Sequence, residues 1–122
     1  MPLNELDLPK ELQPMYEKLR LQNEDGTDQD VMPSGFGEFG LEITNPVPTD
    51  TIIGSQVYLA SLRTEAGETV QFERMGSGEA PNFDKPIDMF QMSVGGKRIG
   101  ILYLCPYNKR NSGKAPKGFK IL

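Results

Sequence analysis

The alternation of apolar and polar positions predicts a β-hairpin in the last third of the chain. Residues 86–94 and 97–105 are two runs rich in apolar side chains, and Gly95-Gly96 joins them. A two-residue turn of this kind needs positive φ at both central positions, which glycine adopts without steric penalty. With Val94 opposite Lys97, the predicted pairs are Met92 with Ile99, Phe90 with Ile101, Met89 with Leu102, and Ile87 with Leu104.

Both faces of this predicted hairpin carry apolar side chains, because successive residues of a strand point to opposite faces of a sheet. A strand that is apolar on both faces is typical of the middle of a sheet that is covered on both sides. We therefore expect the hairpin to lie at the centre of the molecule.

The first 22 residues have the spacing of an amphipathic helix. One face of that helix would carry Leu8, Leu12, Met15 and Leu19. Because Pro14 removes a backbone hydrogen bond and crowds the preceding turn, we expect either a kink there or a helix from Pro14 to about Gln22. The helix is predicted to cover one face of the sheet.

Residues 52–63 and 69–75 are predicted to form a second hairpin, and a short helix over residues 53–62 is the alternative. A five-residue loop over 64–68 separates apolar from polar positions and aligns Leu62 with Val70, Ala60 with Phe72, and Arg63 with Thr69. The predicted fold is α+β in a single domain of residues 1–122. An antiparallel sheet of about four strands in two hairpins would pack against the N-terminal helix, with long loops.

Residues 35–40, Gly-Phe-Gly-Glu-Phe-Gly, match the G-x-G-x-x-G pattern of dinucleotide-binding loops. That fingerprint follows a strand and opens a helix, whereas here a polar, acidic stretch precedes it and two prolines follow it. We interpret it as a tight loop in which Phe36 and Phe39 fill the core. Residues 45–48 should be extended, because a residue before proline avoids the α region.

Composition places the chain among globular proteins rich in loops, with 37% apolar residues, 13 glycines and 10 prolines in 122 residues. No apolar run approaches the ~20 residues that cross a bilayer, and the N-terminus has no apolar signal-peptide core. One cysteine excludes an internal disulfide and is compatible with a reducing compartment. These features predict a cytoplasmic protein.

Charge is divided unevenly along the chain, although the net charge is only −4. Residues 1–50 hold 11 acidic and 3 basic side chains, whereas residues 51–122 hold 6 acidic and 10 basic side chains. Every charged residue after Asp88 is basic. Two interpretations remain open: the two ends neutralise each other, or the basic end forms a surface for an anionic partner.

The C-terminal segment contains the candidate partner-binding residues, because cations alternate there with aromatic and small side chains. These candidates are Tyr107, Lys109, Arg110, Lys114 and Lys117. Such a mixture could contact nucleic acid or an acidic protein surface. The acidic composition of the whole chain favours a protein partner over nucleic acid.

Candidates for catalysis and metal binding are few, and the chain contains no histidine. This removes most hydrolytic triads and the commonest transition-metal ligand. Cys105 is interpreted as a buried, inert thiol rather than a nucleophile. Glu73 and Asp88 could meet across neighbouring strands as a pair of catalytic carboxylates, but nothing in the sequence indicates a cleft. Asp25, Asp28 and Asp30 could bind a hard cation, but their loop lacks the EF-hand spacing. We predict no catalytic residue, no cofactor and no metal site.

Several segments from residue 35 onward resemble a group of small bacterial proteins. The shared segments are Gly-Glu-Phe-Gly (37–40), Thr-Asn-Pro-Val-Pro (44–48), Tyr-Leu-x-x-Leu-Arg-Thr (58–64), Tyr-Leu before Pro-Tyr (103–107) and Gly-Lys-Ala-Pro-Lys-Gly-Phe (113–119). The resemblance covers about two-thirds of the chain. It implies a bacterial cytoplasmic or secretion-associated protein, and it implies no activity or catalytic residue.

The functional prediction is a small, non-enzymatic, protein-binding module, in the form of a bacterial immunity protein, inhibitor or effector-associated protein. Acidic inhibitors typically pair with basic enzymes, and charge complementarity speeds their association. One alternative is a toxin or binding domain that acts on nucleic acid through the basic segment. The other is a subunit of a homo-oligomer that assembles through an exposed strand edge.

Overall fold

The computed structural model describes residues 13–14, 23 and 25–122, and the fold is α+β. The named elements, in chain order, are β1 (Val47–Pro48), α1 (Thr51–Ala60), β2 (Leu62–Thr64), β3 (Gln71–Gly78), β4 (Ile87–Val94), β5 (Lys97–Cys105) and β6 (Phe119–Ile121). One sheet has the strand order β1–β5–β4–β3, and β2 pairs with β6 in a second sheet. The four-stranded sheet is mostly antiparallel, but β1 runs parallel to β5.

The predicted central hairpin is confirmed. Strands β4 and β5 are joined by Gly95 and Gly96, whose φ values are 58° and 82°, and Val94 lies opposite Lys97. Further from the turn, the predicted pairing is wrong by one residue. The observed pairs are Met92 with Gly100, Phe90 with Leu102, Met89 with Tyr103, and Asp88 with Leu104.

A β-bulge near the turn causes this shift, because Ile99 is an extra residue in β5 relative to β4. A shift of one residue moves every following side chain to the other face of the sheet. Leu102 and Leu104 therefore lie in the buried core, whereas Ile99 is exposed. The apolar pattern could not reveal the bulge, because apolar residues occupy both faces of β5.

Both faces of the hairpin are covered near its Cys105 end, as predicted for the centre of a sheet. Phe90, Met92, Leu102 and Leu104 share a core cluster with Tyr58 and Leu59 of α1 and with Phe39 and Val47. On the second face, Ile87 and Cys105 pack with Ala80 and with the partly buried Met32, Ile43 and Phe83. Nearer the turn, the second face is more open, and Gln71 and Glu73 of β3 are exposed.

The predicted strand over residues 52–63 is wrong, and the helical alternative is correct. Helix α1 buries Thr51, Gly54, Ser55, Tyr58 and Leu59, which recur with the helical period. The β-branched residues in this segment favour strands locally. Packing of the small and apolar face against the sheet therefore overrides that local preference.

The second predicted hairpin is also wrong in its pairing, because β3 pairs with β4 and β2 pairs with β6. The predicted pairs of Leu62 with Val70 and Ala60 with Phe72 are absent, whereas Arg63 and Thr69 do form an isolated bridge. Strand β6 lies in the C-terminal tail, outside the two predicted hairpins. Of residues 45–48, which were predicted to be extended, residues 47–48 form β1, whereas Asn45 is in a bend.

The predicted N-terminal helix lies outside the described residues, apart from Gln13 and Pro14. Within the described part of the chain, no helix is long and apolar enough to cross a bilayer.

Residues 105–112, which comprise the last residue of β5 and the segment after it, lie against the chain from β1 to the first turn of α1, and we name them the clasp. Four backbone hydrogen bonds join the clasp to residues 48–51. The N–H groups of Thr49 and Thr51 donate to the carbonyls of Cys105 (3.0 Å) and Pro106 (3.2 Å). In the other direction, the N–H groups of Asn108 and Ser112 donate to the carbonyls of Thr49 (3.1 Å) and Pro48 (2.9 Å).

The Asn111 side chain completes the clasp in a buried position. Its Oδ1 accepts the Asp50 N–H (2.8 Å), and its Nδ2 donates to the Gly54 carbonyl (2.8 Å). One amide group therefore binds both the residue before α1 and a carbonyl of the first helical turn. Asn108 makes a similar bond, from Nδ2 to the Cys105 carbonyl (2.8 Å).

Replacing Asn111 with alanine should lower the free energy of unfolding by about 2 kcal/mol, because it leaves a buried backbone N–H and carbonyl without these partners. Urea unfolding of N111A against the wild type measures the change. The control is K109A, which removes an exposed side chain of the same segment and should change stability by at most about 0.5 kcal/mol. Equal stability of N111A and K109A would contradict the structural importance of the clasp.

Candidate functional site

Residues 35–45 form a tight loop beside β5 rather than a dinucleotide-binding turn. Gly37 and Gly40 have φ values of 95° and 74°, so the glycines are needed for the backbone path. The loop is attached to the sheet edge, since Tyr103 N–H of β5 donates to the Gly40 carbonyl (2.9 Å). No helix follows it before β1, which supports the interpretation of the G-x-G-x-x-G pattern as structural.

The two phenylalanines of the loop differ in their exposure. The prediction that both fill the core is confirmed for Phe39 and wrong for Phe36. Phe39 is 7% exposed and belongs to the main core, whereas Phe36 is 58% exposed. Phe36 is nevertheless held in place through its backbone. Its N–H donates to the Thr44 carbonyl (3.1 Å), and its carbonyl accepts the Thr44 hydroxyl (2.7 Å).

Two asparagine side chains stiffen the same loop. Asn45 Nδ2 donates to the Gly37 carbonyl (2.8 Å), and Asn82 Nδ2 donates to the carbonyls of Ser34 (2.9 Å) and Thr44 (2.8 Å). Asn82 therefore ties the chain on both sides of Phe36 to the loop between β3 and β4. An exposed aromatic side chain thus projects from a backbone that hydrogen bonds hold on both sides of it.

Negative charge surrounds Phe36 in the sequence. Residues 25–50 contain 6 acidic side chains and no lysine or arginine. Glu38 and Glu42 are exposed in the loop itself, and a Glu42 carboxylate oxygen accepts the Glu38 N–H. The surface around Phe36 therefore combines one aromatic side chain with an acidic rim.

Arg110 of the predicted basic site is bound within the chain. Its Nε lies 2.9 Å from Asp28 Oδ1, and its Nη1 lies 2.7 Å from Asp30 Oδ1. The Gly113 N–H also donates to Asp30 Oδ1 (2.8 Å). This hydrogen bond and the Arg110 guanidinium lower the pKa of the Asp30 carboxyl. Acidic and basic segments therefore neutralise each other here, as one of the two interpretations of the charge pattern expected.

The other predicted partner-binding residues are spread over different surroundings. Lys109 and Lys117 are exposed. Lys114 is exposed too, and its Nζ lies 4.8 Å from the centre of the Phe39 ring. Tyr107 is partly buried, and Lys85 Nζ lies 4.7 Å from the centre of its ring.

Tyr107 forms a wall of a cleft of about 480 Å³ beside the first turn of α1. Burial, and then the negative charge of Asp88, raise the pKa of the Tyr107 hydroxyl. The polar groups of the cleft come from three elements, from the clasp and from the segment before β1: Thr51, Arg74, Ser77, Asp88, Tyr107 and Asn23. Its apolar walls include Ile52, Pro86 and Pro106. The sequence alone does not predict this site, because its residues are far apart in the chain.

An ion pair lies in this cleft. Arg74 Nη2 is 3.1 Å from Asp88 Oδ1, and the side chains are 53% and 9% exposed respectively. The predicted pairing of Glu73 with Asp88 is not formed, because Glu73 lies opposite Gln91. Asp88 instead has a guanidinium as its neighbour.

A β-bulge in β3 brings Arg74 and Ser77 to the same cleft. The pairing of β3 with β4 shifts between Arg74 and Gly76, so Met75 is an extra residue in β3. Arg74 lies opposite Phe90 and Ser77 lies opposite Asp88. In a regular strand, two residues three positions apart would point to opposite faces.

Thr51 contributes an unusual backbone conformation to the cleft. Its φ is 70°, a value that a β-branched residue rarely adopts. Three contacts hold it there: its N–H donates to the Pro106 carbonyl (3.2 Å), its Oγ1 accepts the Gly54 N–H (3.2 Å), and its carbonyl accepts the Ser55 hydroxyl (3.2 Å). The surrounding structure therefore maintains a strained residue next to the ion pair.

Cys105 lies in a second cleft of about 500 Å³ on the other side of Tyr107, where Met32 and Phe83 are also found. The thiol is buried, and this burial raises its pKa. At neutral pH it is therefore protonated and a poor nucleophile, in agreement with the interpretation from sequence. Among the described residues, no group of acidic, cysteine or histidine side chains could hold a metal ion.

Comparisons of the chain with protein-family models, curated proteins and solved structures find no match.

The contact of Asp30 with Arg110 predicts a pH-dependent contribution to stability. Because the pKa of Asp30 is lowered on folding, its contribution is complete above the unfolded value of about 3.9 and is lost as the pH falls through the folded value. The thermal midpoints of wild type and D30N should therefore differ most between about pH 5 and pH 7 and converge as the pH falls through the lowered pKa of Asp30.

The control for this prediction is D25N, which removes an exposed carboxylate of the same loop. Its midpoint should stay close to that of the wild type throughout. A D30N difference that stays constant on acidification would show that the carboxylate charge does not stabilise the fold.

Proposed function

We propose that this protein is a non-enzymatic, protein-binding module whose contact surface is centred on Phe36. The observation that carries the proposal is an aromatic side chain that is 58% exposed on a loop held by side-chain and backbone hydrogen bonds. Exposed aromatic anchors supply much of the binding energy at protein interfaces. A loop that is ordered beforehand loses little conformational entropy on binding.

The charge around Phe36 defines the kind of partner. Glu38 and Glu42 are exposed, and the 25–50 segment has no basic side chain to compensate for them. A partner with a basic surface is therefore favoured, and electrostatic attraction would speed its association. The specific form that we propose is an acidic inhibitor or immunity protein that binds a basic bacterial enzyme.

The contacts of the basic C-terminal tail support the Phe36 surface, rather than the tail, as the binding surface. Arg110 is occupied by Asp28 and Asp30, and Lys114 lies over the Phe39 ring. The tail still presents Lys109 and Lys117 to solvent. An acidic protein or nucleic acid bound there is the competing outcome of the experiment.

The decisive variant is F36A, which removes the aromatic ring while retaining the hydrogen bonds of the loop backbone. Immobilised wild-type protein should retain a partner from an extract of the source cell. F36A should weaken the affinity of that purified partner by about 2 kcal/mol, or roughly 30-fold, as measured by calorimetry.

The matched control is I99A, which removes an exposed apolar side chain at the far end of β5 and should retain the affinity. Thermal unfolding of both variants should resemble that of the wild type. The proposal is wrong if F36A binds as tightly as I99A. Loss of binding in the double variant K109E/K117E, with F36A unaffected, would assign recognition to the tail.

A further inference from the structure

We propose that the cleft beside Tyr107 is a binding site for a zwitterionic α-amino acid with an apolar side chain. This site is separate from the Phe36 surface, and the proposal does not depend on the proposed function. Its centre is the ion pair of Arg74 and Asp88.

The two charges differ in how the protein holds them. The Asp88 side chain is 9% exposed, whereas the Arg74 side chain is 53% exposed. Only Nη2 of the guanidinium contacts Asp88, at 3.1 Å. A guanidinium carries five N–H donors, so Arg74 has donors beyond those that the ion pair uses.

The pairing of opposite charges selects the charge type of the ligand. A simple anion would be attracted by Arg74 and repelled by Asp88, and a simple cation would meet the reverse situation. A ligand with both charges a short distance apart complements both residues. The carboxylate of an amino acid would bind Arg74, and its ammonium group would bind Asp88.

The apolar part of the walls favours an apolar side chain, while Asn23, Thr51 and Ser77 form the polar part beside the ion pair. Ile52, Pro86 and Pro106 surround the ion pair with apolar surface, and Tyr107 adds an aromatic ring. The volume of about 480 Å³ lies within the range of small-molecule sites, which are mostly apolar with a few convergent polar groups.

Two irregular features of the backbone converge on the same cleft. The bulge at Met75 directs both Arg74 and Ser77 into it, and Thr51 lines it with a φ of 70°. Bulges that redirect side chains and strained residues are both concentrated at functional sites. A salt bridge that only stabilised the sheet would require neither.

The test uses the full chain labelled with nitrogen-15 and amino acids at millimolar concentration as probes. L-phenylalanine and L-leucine should shift the backbone amide signals of Ser77, Asp88 and Tyr107. N-acetyl-L-phenylalanine lacks the ammonium group and L-phenylalanine amide lacks the carboxylate. Each should bind roughly tenfold or more weakly, because a hydrogen bond between charged groups is lost.

Two variants locate the binding. R74Q should weaken phenylalanine binding by about tenfold or more, whereas E73Q changes the neighbouring residue of β3 and should leave it unchanged. The proposal is overturned if neither amino acid shifts these signals, or if the acetylated or amidated derivative binds as tightly as phenylalanine. The comparison of ligands requires no variant, so it remains decisive even if R74Q fails to fold.

Discussion

The hydrogen bonds of the clasp hold the rest of the described structure in its arrangement. Four backbone bonds and the Asn111 amide connect the segment after β5 to β1 and to the first turn of α1. Because these groups are buried, each would be unfavourable without its partner. The clasp thereby fixes the start of α1 against the end of the central hairpin.

The proposed cleft and the position of the acidic loop over residues 25–30 both depend on that attachment. The clasp holds Tyr107 between the two clefts and brings Arg110 to the acidic loop that contains Asp28 and Asp30. Ser112 Oγ donates to the Asp30 carbonyl (2.6 Å), so backbone and side-chain contacts both join this loop to the tail. The tail is therefore a structural partner of the acidic segment, while its lysines Lys109, Lys114, Lys117 and Lys120 remain exposed.

Local patterns were sufficient to predict the central hairpin, its glycine turn and the extended residues of β1. They were insufficient wherever the answer depended on packing or on an irregular backbone. The bulge at Ile99 shifts the pairing of β4 with β5 by one residue. The apolar pattern did not predict this shift, because apolar residues on both faces of the strands fit two registers equally well. Helix α1 was predicted as a strand, because the buried face that stabilises it is visible only once the sheet is present.

The candidate sites show the same limit. Phe36 was singled out by sequence, but its exposure depends on a fold in which Phe39 alone enters the core. The cleft unites Thr51, Arg74, Asp88 and Tyr107, and two backbone irregularities direct residues into it. The positive φ of Thr51 has no glycine to mark it in the sequence, whereas Gly76, with a φ of 140°, directly follows the bulge at Met75.

Charge explains why the chain can be acidic overall and still carry a basic tail. Arg110 pairs with two carboxylates, so this part of the acidic segment is neutralised internally, and the Gly113 N–H together with the Arg110 guanidinium lowers the pKa of Asp30. Glu38 and Glu42 lie outside that ion-pair cluster and remain exposed beside Phe36. The loop that exposes Phe36 therefore also carries two carboxylates outside the ion-pair cluster, and this combination supports the proposal of a basic partner there.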